Sequence, residues 1–341
     1  IDGTLETDAL TINGSALNYK AFGTSSIMLG DNATGTIDAA NYNTGLGVDV
    51  FAALTSGDDN TAVGFSALQA NTTGDKNNAF GATALDANTT GTNNAAFGYA
   101  ALGANTTGAS NIAVGDYTLD ANTTADSNVA VGYSALSANT TGANNVAVGG
   151  NALLANTTAT GNIAVGYNCL DANTTGATNT AVGYYALSAN TTAASNTAIG
   201  NASMQSSNGG AGNTAVGSSS LNGATTGDYN VAIGYNAGLS VTSGDRNVFV
   251  GPYSGDACTT GQYNVGMGSG SLDSLTTSNY NTAIGTNAGA AITTGAYNTA
   301  IGGTALDATT TADNNTAIGY AALTANTTAA NNTAVGFYGL V

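Results

Sequence analysis

Any chemistry in this chain would fall to carboxylates. The 341 residues hold 20 Asp and Glu, 3 Lys and Arg, two cysteines and no histidine. Without imidazole, the commonest general base and metal ligand is missing. Aspartates do recur at multiples of 17 residues, in one file as Asp86, Asp120, Asp171 and Asp307, and in another as Asp75, Asp126, Asp228, Asp245 and Asp313. Stacked carboxylates could share a proton for acid–base work or hold a cation. Their scatter along the files argues against a catalytic pair, and the Gly-Gly-x-Gly-x-Asp pattern of calcium-binding coils is absent. We expect these carboxylates on the surface, keeping the protein soluble, with no enzyme activity, no metal and no cofactor. Cys169 and Cys258 are 89 residues apart. In a stacked repeat that places them ~24 Å from each other, beyond the ~7 Å reach of a disulfide. Both read as small buried residues.

Three other side-chain files could bind something. Asn-Thr-Thr recurs at Asn71, Asn88, Asn105 and later positions, and it matches the N-glycosylation acceptor pattern. The competing reading is a ladder of stacked amides, since further along the same file holds Val241, Cys258, Leu275 and Ile292. Such exchange between Asn and apolar residues points inward. The paired threonines raise ice binding, but Thr72 and Thr73 would face opposite ways if extended, leaving one regular outward file. Tyr99, Tyr133, Tyr167 and Tyr184 share a file that could form an aromatic ridge for glycans. Asp116, Gly150, Asn201 and Pro252 interrupt it, which favours inter-chain packing or covering of the surface.

The elements that position these files follow from one repeat. Aligned on Asn-x-Ala-aliphatic-Gly, an anchor Asn stands at Asn60, Asn77, Asn94 and every 17 residues to Asn332, without insertion or deletion. The glycine four residues later is invariant, as at Gly64, Gly81, Gly98, Gly115 and Gly132. Two weaker units, SIMLG at 26–30 and NTGLG at 43–47, keep the phase and bring the total to 19. Counting the anchor as first, the third position is mostly Ala and the fourth Val, Ile, Phe or Met. The ninth is mostly Leu, sometimes Gly, and the twelfth to fifteenth read Asn-Thr-Thr-Gly or Asn-Thr-Thr-Ala.

A fixed glycine, threonine pairs and a β-branched fourth position disfavour a helical repeat. The pattern predicts an all-β parallel β-solenoid, or β-roll, of about 19 coils, each 17 residues long. Coils would stack at ~4.8 Å, giving a rod ~90 Å long, and indel-free phasing is what such stacking demands. Residues 1–25 would form a connector or cap and 26–341 the array. Val63 and Leu68 would fill the interior. Ala62 and Gly64 would share the other face and let a second backbone approach, implying a homotrimer. The alternative is that this face packs inside its own coil.

A net charge of -17 removes the basic stripe that nucleic acids or anionic membranes require. No stretch approaches the roughly 18 apolar residues of a membrane span. The sequence starts at Ile1 without a signal-peptide pattern, as expected of a fragment or processed product.

The unit N-[TVI]-A-[VI]-G-x-x-A-L resembles the head repeats of trimeric autotransporter adhesins. The fuller phrase NTAVGYxALxANTTG is similar to repeat regions of phage tail fibres. The opening IDGTLETDALTINGSAL looks like connector segments of such fibres. The resemblance implies a trimeric extracellular fibre, on a virion or a bacterial surface, that meets a host or cell-surface glycan or protein receptor. The expected function is a tail-fibre shaft with an adhesive role. Alternatives are a bacterial surface adhesin, a filament joined end to end, and, more remotely, an ice-binding protein. Within the array, 201–212 and 247–258 are irregular enough to serve recognition.

Overall fold

The computed structural model describes residues 10–12, 15–17, 19–22, 26–29, 39–223 and 225–340. Every regular element among them is a β-strand. The chain divides into two compact units, residues 1–158 and 159–341, and each is a parallel β-solenoid. In the first, a ladder of strands runs from Ser26–Leu29 through Thr44–Leu46 and Thr61–Val63 to Val146–Val148. In the second it runs from Ile163–Val165 to Thr333–Val335. Within each unit, each strand of the ladder pairs with the equivalent strand of the next coil, Ala62 opposite Ala79 and Ala181 opposite Ala198.

The two units together hold about 17 coils, against 19 units counted in the sequence. The first unit falls largely outside the described residues, and the last, from Asn332, stops short of a full turn. Most of the expected connector, 1–25, also lies outside them. Of its described strands, Leu10–Ile12 pairs antiparallel with Ser15–Leu17, and Tyr19–Phe22 pairs antiparallel with Ser26–Leu29, the first strand of the array.

Each coil has one three-residue strand, at the second to fourth positions, and turns everywhere else. The Ala-Leu segment is part of a turn. Its backbone is left-handed at the seventh and ninth positions, and so is the seventeenth, as at Ser66 (φ 54), Leu68 (φ 51) and Lys76 (φ 58). Such a conformation costs a residue with a side chain ~1–2 kcal/mol. The repeat softens that cost in places, with Asn151, Asn168 and Asn236 at the seventh position and Gly238, Gly255 and Gly289 at the ninth. This explains why glycine replaces leucine there. The invariant glycine has a different reason. At Gly132 φ is 131°, and a Cβ would lie 2.6 Å from the carbonyl carbon of Gly149 in the next coil.

The interior corrects one expectation. Ala62 and its equivalents point inward and are fully buried, together with Ala67 and Leu68, while Phe80, Ile199 and Met267 at the fourth position face out and are exposed. Leu68 fills the core as expected; Val63 does not. The reason is the width of the coil. Leucine at the ninth position already occupies the space opposite the strand, so the third position has room for a methyl group. Phe249 proves the point. It takes the third position only where the ninth is Gly238 or Gly255 and the next third is Gly266, and its ring lies where their Cβ atoms would be. The close approach expected between chains is therefore made within one chain, coil upon coil.

Two amide ladders complete the core. Asn77 donates its backbone N–H to Asn60 Oδ1 (2.9 Å) and its Nδ2 to Gly91 O (2.9 Å). At the twelfth position, Asn88 Nδ2 donates to Asn71 Oδ1 (2.9 Å) and to Gly91 O (3.1 Å). All four asparagines are fully buried. Buried amides cost free energy unless paired, and stacking pairs each one with its copy in the next coil.

Candidate functional surface

With the interior taken up by Ala, Leu and Asn, recognition is left to the outward columns. The structure sorts the sequence candidates among them. Asn71, Asn88 and Asn105 are buried ladder members, closed to glycosylation. Thr72 is half-buried and its Oγ1 donates to Thr89 O (3.0 Å), while Thr73 is exposed, so this turn offers a single outward threonine file.

The aspartates at the sixteenth position do more than face solvent. Asp126 Oδ1 accepts from Ala109 N (2.7 Å), Asp228 from Ala211 N (2.7 Å) and Asp313 from Ala296 N (2.7 Å). Each carboxylate clasps the preceding coil by its backbone. The tenth-position aspartates are half-buried, and burial pushes the carboxyls of Asp86, Asp120 and Asp171 up from their ordinary range. The same column brings together a pair the sequence reading passed over, Asp256 and Asp273. Burial first, then the hydrogen bond and charge of Asp273, push Asp256 up to about 6. Their 17-residue spacing was the available signal. Among the described residues, no group of three or more His, Cys, Asp or Glu is placed to hold a metal ion. Cys169 and Cys258 are free and buried, and burial pushes both thiols up to about 12.

In the irregular stretch 247–258, Phe249, Gly255 and Cys258 are adjustments of the core, while Pro252 and Tyr253 are exposed. In 201–212, Ser207 replaces a ladder asparagine and donates its Oγ to Thr225 O (3.2 Å).

Tyr99, Tyr133, Tyr167 and Tyr184 are all exposed. They interlock with tyrosines of the seventh position: Tyr117 packs edge-on against Tyr99 (5.3 Å between centroids) and Tyr133 (6.1 Å). A second aromatic file was missed. At the seventeenth position, five successive coils carry Tyr229, Arg246, Tyr263, Tyr280 and Tyr297. Tyr263, Tyr280 and Tyr297 stack in parallel at 4.9 and 5.2 Å. Arg246 stands between Tyr229 and Tyr263, 5.5 and 5.6 Å from their ring centres. Its Nη1 donates to Tyr263 Oη (3.2 Å). Between these columns lies the outer face of the strands, where Phe80 and Phe97 stack at 4.9 Å.

These features define a class, a repeat solenoid of the kind found in structural and adhesive proteins. No protein-family model matches the chain, and comparison with curated proteins finds no relative. No helix among the described residues is long and apolar enough to cross a membrane.

Proposed function

We propose that the chain is the shaft of an extracellular fibre with an adhesive surface, built as a homotrimer, and that the fibre is a phage tail fibre. The observation that carries this reading is the outward face of the strands. At the fourth position, coil after coil presents Phe, Val, Ile or Met to solvent, Phe97 being 40% and Val114 37% exposed. Contiguous apolar surface beyond a few hundred Å² marks an interaction site, and an identical face on each copy suits a cyclic assembly. The ladder supplies the mechanical part, since within each unit successive described coils are hydrogen-bonded to one another along the backbone. In this reading the protein does no catalysis. The sixteenth-position carboxylates are engaged by backbone N–H groups, and the thiols remain protonated. The resemblance of the repeat phrase to tail-fibre repeats favours the viral setting over a bacterial adhesin in this reading.

Sedimentation tests the assembly. A mass near three times 33.0 kDa is expected, and Phe97→Lys combined with Val114→Lys should give folded single chains. A wild-type mass of one chain would overturn the trimer. The viral assignment is tested by immunogold labelling of virions, with label expected along the tail fibres.

A further inference from the structure

The ladder at the seventeenth position has no part in the core. Tyr229, Tyr263, Tyr280 and Tyr297 are 58%, 38%, 48% and 59% exposed. Four steps of ~4.8 Å make the strip ~20 Å long and, one side chain wide, ~200 Å² in area. A stable protein partner needs ~800 Å² on each side, so the strip is too small for a protein and suits a thin, linear ligand.

Its chemistry narrows the class further. Beside the first four rungs, at the sixteenth position, stand Asp228, Asp245, Gln262 and Asn279, all half-buried, and beside Tyr297 stands Ala296. One oxygen of Asp228, Asp245 and Asn279 accepts a backbone N–H, from Ala211 (2.7 Å), Asp228 (2.8 Å) and Gln262 (2.7 Å) respectively. The second carboxylate oxygens of Asp228 and Asp245 and the side-chain amide of Gln262 belong to residues next in sequence to Tyr229, Arg246 and Tyr263. With two carboxylates and one guanidinium, the strip is net negative and repels polyanions. The stacked rings turn their faces toward one another, and their outward edges and phenol hydroxyls, with the Arg246 guanidinium, offer the C–H contact and hydrogen-bonding groups that a neutral sugar chain takes. A polysaccharide with equatorial linkages runs straight and repeats its rings at close to the spacing of these rungs.

We infer that the strip Tyr229–Arg246–Tyr263–Tyr280–Tyr297 binds a neutral, straight β-linked polysaccharide lying along the stacking direction, about one sugar ring per coil. This deepens the adhesive reading above and rests on it. Because stacked neighbours cover part of each ring face, no single rung holds a sugar alone. Affinity accumulates along the ladder.

Calorimetric titration of the full chain with cello-oligosaccharides of increasing length tests this. Glucose should not bind, and affinity should climb with each added unit until five or six are present. Tyr263→Ala with Tyr280→Ala should weaken cellohexaose binding by about tenfold or more, equivalent to ~1.4 kcal/mol or more. Tyr99→Ala with Tyr133→Ala, in the other file, should leave it unchanged. Circular dichroism confirms that both variants fold. No binding of cellohexaose, equal binding by the Tyr263 and Tyr280 variant, or tighter binding of alginate than of cellohexaose would each overturn the inference. A trimer that ignores cellohexaose overturns the strip and leaves the fibre reading. A single chain that binds it does the reverse.

Discussion

Removing one rung of the twelfth-position ladder should unzip the solenoid locally, and Asn105→Ala does so with a calculable loss. Asn105 Nδ2 donates to Asn88 Oδ1 (2.9 Å) and to Gly108 O (3.0 Å), and its Oδ1 accepts from Asn122 Nδ2 (2.8 Å). Two of these partners have a second bond in reserve. Gly108 O keeps Asn94 Nδ2 (2.9 Å) and Asn122 Nδ2 keeps Ala125 O (3.2 Å). Asn88 Oδ1 is left stranded in the interior. A buried acceptor without a partner costs ~1–3 kcal/mol, and the space vacated by the amide adds ~1 kcal/mol, for a total of ~2–4 kcal/mol. Coils couple mainly to their neighbours, so the loss should appear locally. Hydrogen exchange read by mass spectrometry should show peptides spanning 88–122 opening about 100-fold faster, the equivalent of ~3 kcal/mol. Peptides several coils away should keep their protection. The exposed Thr107→Ala serves as control and should change little. Protection at 88–122 within twofold of wild type would refute the idea that the ladder stabilises the fold.

Two further expectations follow from particular coils. Asp256 has its folded pKa raised to about 6 from 3.8, so the fold prefers the neutral acid. Its stabilising contribution is present below pH 4 and is lost as the pH rises through 6. Coils around 247–278 should therefore exchange more slowly at pH 4 than at pH 7 after correction for intrinsic rates, and Asp256→Asn should abolish the difference. Phe249→Ala should cost ~3–5 kcal/mol by leaving a cavity. Gly255→Leu alone should also destabilise, since the Phe249 ring occupies the position of its Cβ. The double variant restores the common pattern of Ala at the third position and Leu at the ninth, and should lose less than the two single changes summed, as denaturant unfolding can measure.

Much of this was legible in the sequence because a parallel stack permits only one period. Unbroken phasing gave the solenoid and the ladder of strands. The exchange of Asn for Val241, Cys258, Leu275 and Ile292 marked the twelfth position as inward, and all four apolar residues are buried. Which side of the strand faces in was not legible. Alternation separates Ala62 from Val63 without saying which is inside, and size suggested the larger residue. Coil width decides the matter, and that width depends on the left-handed turns at Ser66 and Leu68. A propensity reading does not assign such turns to leucine. The seventeenth-position ladder escaped notice for another reason. Arg246 interrupts the tyrosines in sequence, but in space its guanidinium takes the place of a ring.

The coils that carry this ladder are also those in which the interior has been rebuilt. In most other coils the twelfth position is an amide paired to its copies, which roughly offsets its own burial; Leu54, Ser207 and Thr309 are exceptions. Between 230 and 297 it becomes Val241, Cys258, Leu275 and Ile292, and burial of such side chains stabilises by ~1.5–3 kcal/mol each. Those coils thus hold a reserve that the amide-bearing coils lack. Two features in the same stretch draw on it: the Asp256–Asp273 pair, which loses stability as it ionises, and a row of tyrosines held in water with left-handed backbone. Substitutions on outward columns are nearly neutral for folding. Drift alone would therefore interrupt such a row, as it interrupts the sixth position at Asp116, Gly150, Asn201 and Pro252. Five rungs without a gap, on a locally reinforced core, are the pattern that selection for binding would leave.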